Sequence, residues 1–148
     1  MTTQEGINIL KENLDNLKDA EKWLRRSYEK CKPLPDKDKF DDDDYDAIEA
    51  FSSRFARTID YLIHKVFKNI DRVELEDIGT LIDVVNRAHK RGIIDDPEEV
   101  RELKELRNQI VHEYGETDIT KHFNDLIEKT PEIFDFIKRT NQYCSKYL

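Results

Sequence analysis

Four side chains between Glu105 and Gly115 have the types and spacing for chemistry on a phosphate: Arg107, Asn108, His112 and Tyr114. Arginine is a permanent planar cation whose fork matches phosphate oxygens, and histidine exchanges protons near neutral pH. The tyrosine adds a hydroxyl that can position a ligand or accept a modification. At about 100° per residue, Leu103, Leu106 and Ile110, with Val100 and Val111 more loosely, form one apolar helical stripe. Arg107 and Tyr114 fall inside that stripe. A charge there must be paired or must line a cleft, because burying it alone is strongly unfavourable. His112 follows Arg107 about 140° round and about 7.5 Å further along an ideal helix, so one straight helix does not aim both at a single phosphate. Either the helix unwinds at Val111–His112, as Gly115 just beyond allows, or a second copy of the chain completes the site. The second arrangement is the expectation here. Plainer roles stand beside these. Arg107 can be the ion-pair partner of one of the many carboxylates. His112 can be a helix-end residue favoured by the macrodipole by up to ~2 kcal/mol. Tyr114 can be a core aromatic with its hydroxyl at the rim. The three together, with Asn108 one turn before His112, favour a functional site.

The elements that must position these residues are helical. Ile7, Leu10, Leu14, Leu17 and Leu24, flanked by Trp23 and Tyr28, predict a first helix that ends before Pro33 and Pro35. A loop spans Cys31 to Phe40. A long second helix carries Ile48, Phe51, Phe55, Ile59, Leu62, Val66 and Ile70 at spacings of three and four. Ile78, Leu81, Ile82, Val85 and Ala88 mark a third helix that closes near Gly92. The fourth starts with Asp96 as N-cap, Pro97 at the first helical position and Glu99 at the capping-box position, together ~1–2 kcal/mol of end stabilisation. The fifth carries Ile119, Phe123, Leu126 and Ile127. Thr130–Pro131 then kinks it or starts a sixth helix through Ile133, Phe134 and Ile137. The expected fold is all-α, an antiparallel bundle of about five helices with a long second helix.

At 148 residues the chain is read as one domain, 1–148, large enough for a single core. Cys31 and Cys144 fit neither a metal-ligand spacing nor a disulfide framework, which suits a reducing compartment. The start MTTQEGINIL lacks a basic region followed by an apolar run, and no apolar stretch is long enough to span a bilayer, so a soluble, cytoplasmic protein is expected. Charged residues make up 39% of the chain and the net charge is −8, which excludes broad attraction to nucleic acid. Any RNA contact must be a local basic cleft. Asp41 to Asp44 read as a complement to a helix macrodipole rather than a cation site. His64, His89 and His122 have no metal-ligand spacing, and no metal site or cofactor is expected. Arg54, Arg57, Lys65 and Lys68 repeat along the long helix as a basic strip, read by default as a solvated face.

The run ELRNQIVHEYG, at the end of the fourth helix of a small helical chain, resembles the HEPN superfamily, in particular HepT-type toxins encoded beside a minimal nucleotidyltransferase antitoxin. That motif is Arg, four residues, His, one residue, Tyr, and it is matched in full at Arg107, His112 and Tyr114. Asn108 is the polar residue commonly found after the Arg. The resemblance implies a metal-independent endoribonuclease that acts on tRNA as a homodimer, with paired Arg107 and His112 as catalytic residues and Asn108 orienting phosphate or imidazole. It also implies silencing by the partner nucleotidyltransferase, which adds AMP to Tyr114. The alternative is a non-catalytic adaptor that presents a substrate or nucleotide to a nucleotidyltransferase. A purely structural interaction bundle is a further reading.

Overall fold

The computed structural model describes residues 3–112 and 120–148, apart from the His112 side chain. The helices are α1 (Thr3–Cys31), α2 (Asp42–Tyr61), α3 (Lys68–Val73), α4 (Leu81–Lys90), α5 (Pro97–His112) and α6 (Phe123–Cys144). A π-helical segment, Leu62–Phe67, joins α2 to α3 without a break, so the three form the long second arm that the sequence predicts. No strand occurs among the described residues. The result is an all-α bundle of five helical rods. None of the described helices is long and apolar enough to cross a membrane.

The long arm begins where its acids dictate. The Asp41 side chain accepts from the Asp44 N–H, the Asp44 side chain accepts from the Asp41 N–H, and Lys37 pairs with Asp44. Asp41–Asp44 is thus a helix-capping device, with Asp44 itself largely buried. From there Ile48, Phe51, Phe55, Ile59, Leu62, Val66 and Ile70 are all fully buried. The arm lies antiparallel to α1. Residue pairings run in opposite senses, from Cys31 Sγ to the Ala47 carbonyl (3.4 Å), through Arg54 to Ser27 and Asn16 to Tyr61, to Asn69 on the Gly6 carbonyl (3.1 Å). α6 packs against both, and α5 packs against α2 and α6.

One expectation needs correction, and two take a more definite form. The third helix starts at Leu81 behind a capping box of Thr80 and Asp83, leaving Ile78 outside, and Ile82 is 71% exposed. Taking Leu81 as zero, Val84, Val85 and Ala88 fall within about 60° of it while Ile82 falls about 100° away, so Val84 enters the core in its place. The same helix does end as expected. Gly92 at φ 77° gives its N–H to the His89 carbonyl and Ile93 gives its own to Ala88, a Schellman closure that only glycine adopts without strain. Second, Pro131 does not start a sixth helix. α6 runs through it, with Pro131 on the exposed side and Thr130 Oγ1 donating to the Leu126 carbonyl at 2.6 Å. Third, the Cys31–Phe40 loop contains a 3₁₀ turn, Leu34–Asp36. Ile119 lies outside the described residues.

A buried charge network ties the far end together. Asp71, fully buried, accepts from Arg87 (3.0 Å) and Arg91 (2.6 Å), and Arg91 Nε also donates to Glu74 (2.9 Å). Burial pushes the Glu74 carboxyl up, but hydrogen bonds from Tyr143, Tyr147 and Arg91 outweigh it and hold the group below its ordinary value. Both cysteines are buried thiols. Burial pushes Cys31 up to about 11 and Cys144 to about 12, so neither is a thiolate near neutral pH.

Candidate active site on α5

α5 starts on Asp96, whose carboxylate accepts from the Glu98 N–H at 2.9 Å, as its position before Pro97 dictates. Val100, Leu103 and Leu106 are buried along one face, which brings Arg107 against α2. There the guanidinium meets Asp60. Nε and Nη2 both donate to Asp60 Oδ2, at 3.0 and 2.8 Å, and Nη1 donates to Asn108 Oδ1 at 3.2 Å. Side-chain exposures of 27% for Arg107 and 32% for Asp60 leave the pair at the rim of the bundle, open to a ligand. The charge inside the apolar stripe is therefore both paired and accessible. Asn108 acts on the arginine itself, where the sequence suggests phosphate or imidazole.

The α-helix stays wound through Val111 and His112, so the backbone does not unwind at that point. The His112 side chain and the whole of Tyr114 lie outside the described residues.

The packing adds groups that the motif does not contain. Lys104, one turn before Arg107, places Nζ 3.1 Å from Nε2 of His64 in the π-helical segment. The ammonium donates, which requires a neutral imidazole carrying its proton on Nδ1. Burial, then the charges of Lys104 and Lys68, push the His64 imidazole below its ordinary value, with Arg107 adding to the effect and Asp60 opposing it. Lys104 is lowered for the same first reason, burial, with Arg107 and Lys68 adding to it and Asp60 opposing. Three cations, Arg107, Lys104 and Lys68, thus act on the His64 imidazole against one carboxylate, Asp60. That imbalance favours an anion. Among the described residues no group of His, Cys, Asp and Glu converges as a metal cage.

A family model described as ribonuclease HepT-like matches residues 24–140. The chain belongs to that family. Comparisons with curated proteins and with solved structures give no match. The HepT-like span contains both sides of the cluster, Asp60 and His64 on the long arm and Lys104 and Arg107 on α5, and it supports a ribonuclease at the level of the family. Sequence reading missed Asp60, His64 and Lys104 as site residues. The available signal was Asp60 and His64, a carboxylate and an imidazole one turn apart on the long arm.

Proposed function

We propose that this HepT-like protein is a metal-independent endoribonuclease that works as a homodimer. The observation that carries the reading is Arg107, held half-exposed by Asp60 and Asn108 within a locally cationic cluster on a chain of net charge −8. In the proposed reaction a ribose 2′-oxygen attacks the adjacent phosphorus while His112 takes the hydroxyl proton. The P–O bond to the 5′-oxygen breaks, that oxygen regains a proton, and a 2′,3′-cyclic phosphate remains. Arg107 neutralises charge on the non-bridging oxygens, a form of stabilisation worth several kcal/mol where donors are already oriented. Proton transfer by His112 contributes roughly a factor of 10² to 10⁴. Because an ideal helix sets positions 107 and 112 about 140° apart, the second protomer supplies the missing partner in this reading. The substrate is tRNA, and the protein is the toxin of a pair whose minimal nucleotidyltransferase silences it by adding AMP to Tyr114.

Incubation of purified protein with total tRNA, with and without EDTA, tests this. Cleavage should persist in chelator and fall at least about 10²-fold in Arg107→Ala and in His112→Ala. Cleavage that needs a divalent metal and survives both substitutions overturns the mechanism. A wild-type protein that cuts no RNA points instead to the adaptor role.

A further inference from the structure

A second cleft lies between α1 and α2, outside the motif. It encloses about 440 Å³ and is lined by Ala20, Trp23, Arg54, Arg57, Thr58 and Tyr61. This is the size of a small-ligand site. Trp23 is 46% exposed, unusual for the largest apolar side chain on a chain with a buried core. Cations gather on its ring: the Arg54 guanidinium lies 5.2 Å from the ring centroid, Lys22 Nζ 5.5 Å and the Arg26 guanidinium 6.0 Å. No carboxylate is among the lining residues. The walls are held in place. Arg54 Nη1 donates to the buried Ser27 hydroxyl at 2.7 Å, and the Tyr61 hydroxyl accepts from Asn16 (3.0 Å) and donates to Asn13 (2.9 Å).

We infer that this cleft binds single-stranded RNA, with an unpaired base stacked on Trp23 and its phosphate on Arg57, as an extension of the cleavage site. The inference rests on the ribonuclease reading. An open indole ringed by cations matches a base plane attached to a phosphate, whereas an apolar protein segment has no use for the charges and a second copy of this chain brings net negative charge but no base. Position adds to this. Arg57 and Tyr61 stand on α2 three residues, about 4.5 Å, before Asp60 and His64, so a strand leaving the cleft along α2 runs toward the Arg107 cluster. The basic strip on the long arm is therefore not uniform. Arg54 and Arg57 belong to the cleft, and Lys68 belongs to the Arg107 cluster.

Trp23 is the single tryptophan of the chain, so selectively excited tryptophan emission reports on this cleft. The probe is a short 2′-O-methyl oligonucleotide, which lacks the attacking hydroxyl and binds without being cut. Saturable quenching is expected in the wild type. Arg57→Ala should weaken it about tenfold, and Arg107→Ala should still be quenched. Inorganic polyphosphate should compete with the oligonucleotide without quenching. Absent quenching, quenching unchanged in Arg57→Ala, or equal quenching by polyphosphate overturns the inference. A blue shift of emission that grows with protein concentration alone assigns the cleft to a second copy and overturns it too. Quenching by the oligonucleotide in a protein that cuts no RNA leaves the cleft standing and removes the catalytic reading, so the two failures are distinguishable.

Discussion

Asp60 should act as a positioning residue for Arg107, and Asp60→Asn isolates that role. The substitution keeps the shape and one carbonyl acceptor but removes the charge that now takes both Nε and Nη2 on a single oxygen. Because the two side chains are 27% and 32% exposed, solvent screens the pair, and its contribution to stability should be no more than about 1 kcal/mol. In a protein of this size that is roughly 2–4 °C in melting temperature. The catalytic effect should be larger. An untethered arginine regains up to about 2 kcal/mol of rotamer entropy, which must be removed again when the guanidinium meets the transition state. At about 1.4 kcal/mol per tenfold, the rate constant for RNA cleavage should fall roughly tenfold to thirtyfold, with KM little changed. The decisive assay is a double-mutant cycle. In the Arg107→Ala background Asp60→Asn should cost almost nothing further, since the residue acts only through the arginine. Additive losses refute the reasoning. So does a faster Asp60→Asn enzyme, which would show the carboxylate competing with substrate, or a melting temperature lowered far beyond a few degrees.

Two further outcomes follow from the same coordinates. Asp71→Ala strands Arg87 and Arg91 beside a buried void, a loss of about 3–5 kcal/mol, and thermal unfolding by circular dichroism should move down on the order of 10 °C; a shift of a degree or two shows that Glu74 alone holds Arg91. Coexpression with a minimal nucleotidyltransferase should raise the protein's mass by AMP units mapped to Tyr114 and abolish cleavage, and a Tyr114→Phe chain still silenced by covalent nucleotide transfer refutes that switch.

Helical periodicity made the architecture legible. The apolar residues expected along the long arm are all fully buried, and the α5 stripe of Val100, Leu103 and Leu106 packs as its spacing requires. What periodicity does not carry is local hydrogen bonding. Ile82 is apolar and adjacent to Leu81, so composition enrols it in the stripe, but the Thr80–Asp83 capping box fixes where the helix begins and rotates Ile82 to solvent. The π-helical turn has no proline or glycine to announce it. There Leu62, Ile63, Val66 and Phe67 are all buried, and an ordinary helix would give the same apolar pattern, so the pattern alone does not mark the turn.

The site was half legible for a related reason. Residue types near the end of α5 could be read as phosphate chemistry because arginine, asparagine, histidine and tyrosine stand close together in the chain. The carboxylate that holds Arg107, Asp60, stands on another helix. Net charge misleads in the same way. A total of −8 argues against an RNA-binding surface only if charge is spread evenly, whereas at physiological salt fields decay over about 8 Å. Lys104, Lys68 and Arg107 act together on His64 against Asp60, and Lys22, Arg26 and Arg54 gather at the Trp23 ring. Only folding brings those cations together, with α2 bearing Arg54, Arg57 and Asp60 between its neighbours α1 and α5. If RNA binds as proposed, an acidic chain holds it through local cations while its remaining surface repels it, which restricts contact to a strand that runs from Arg54 and Arg57 toward Arg107.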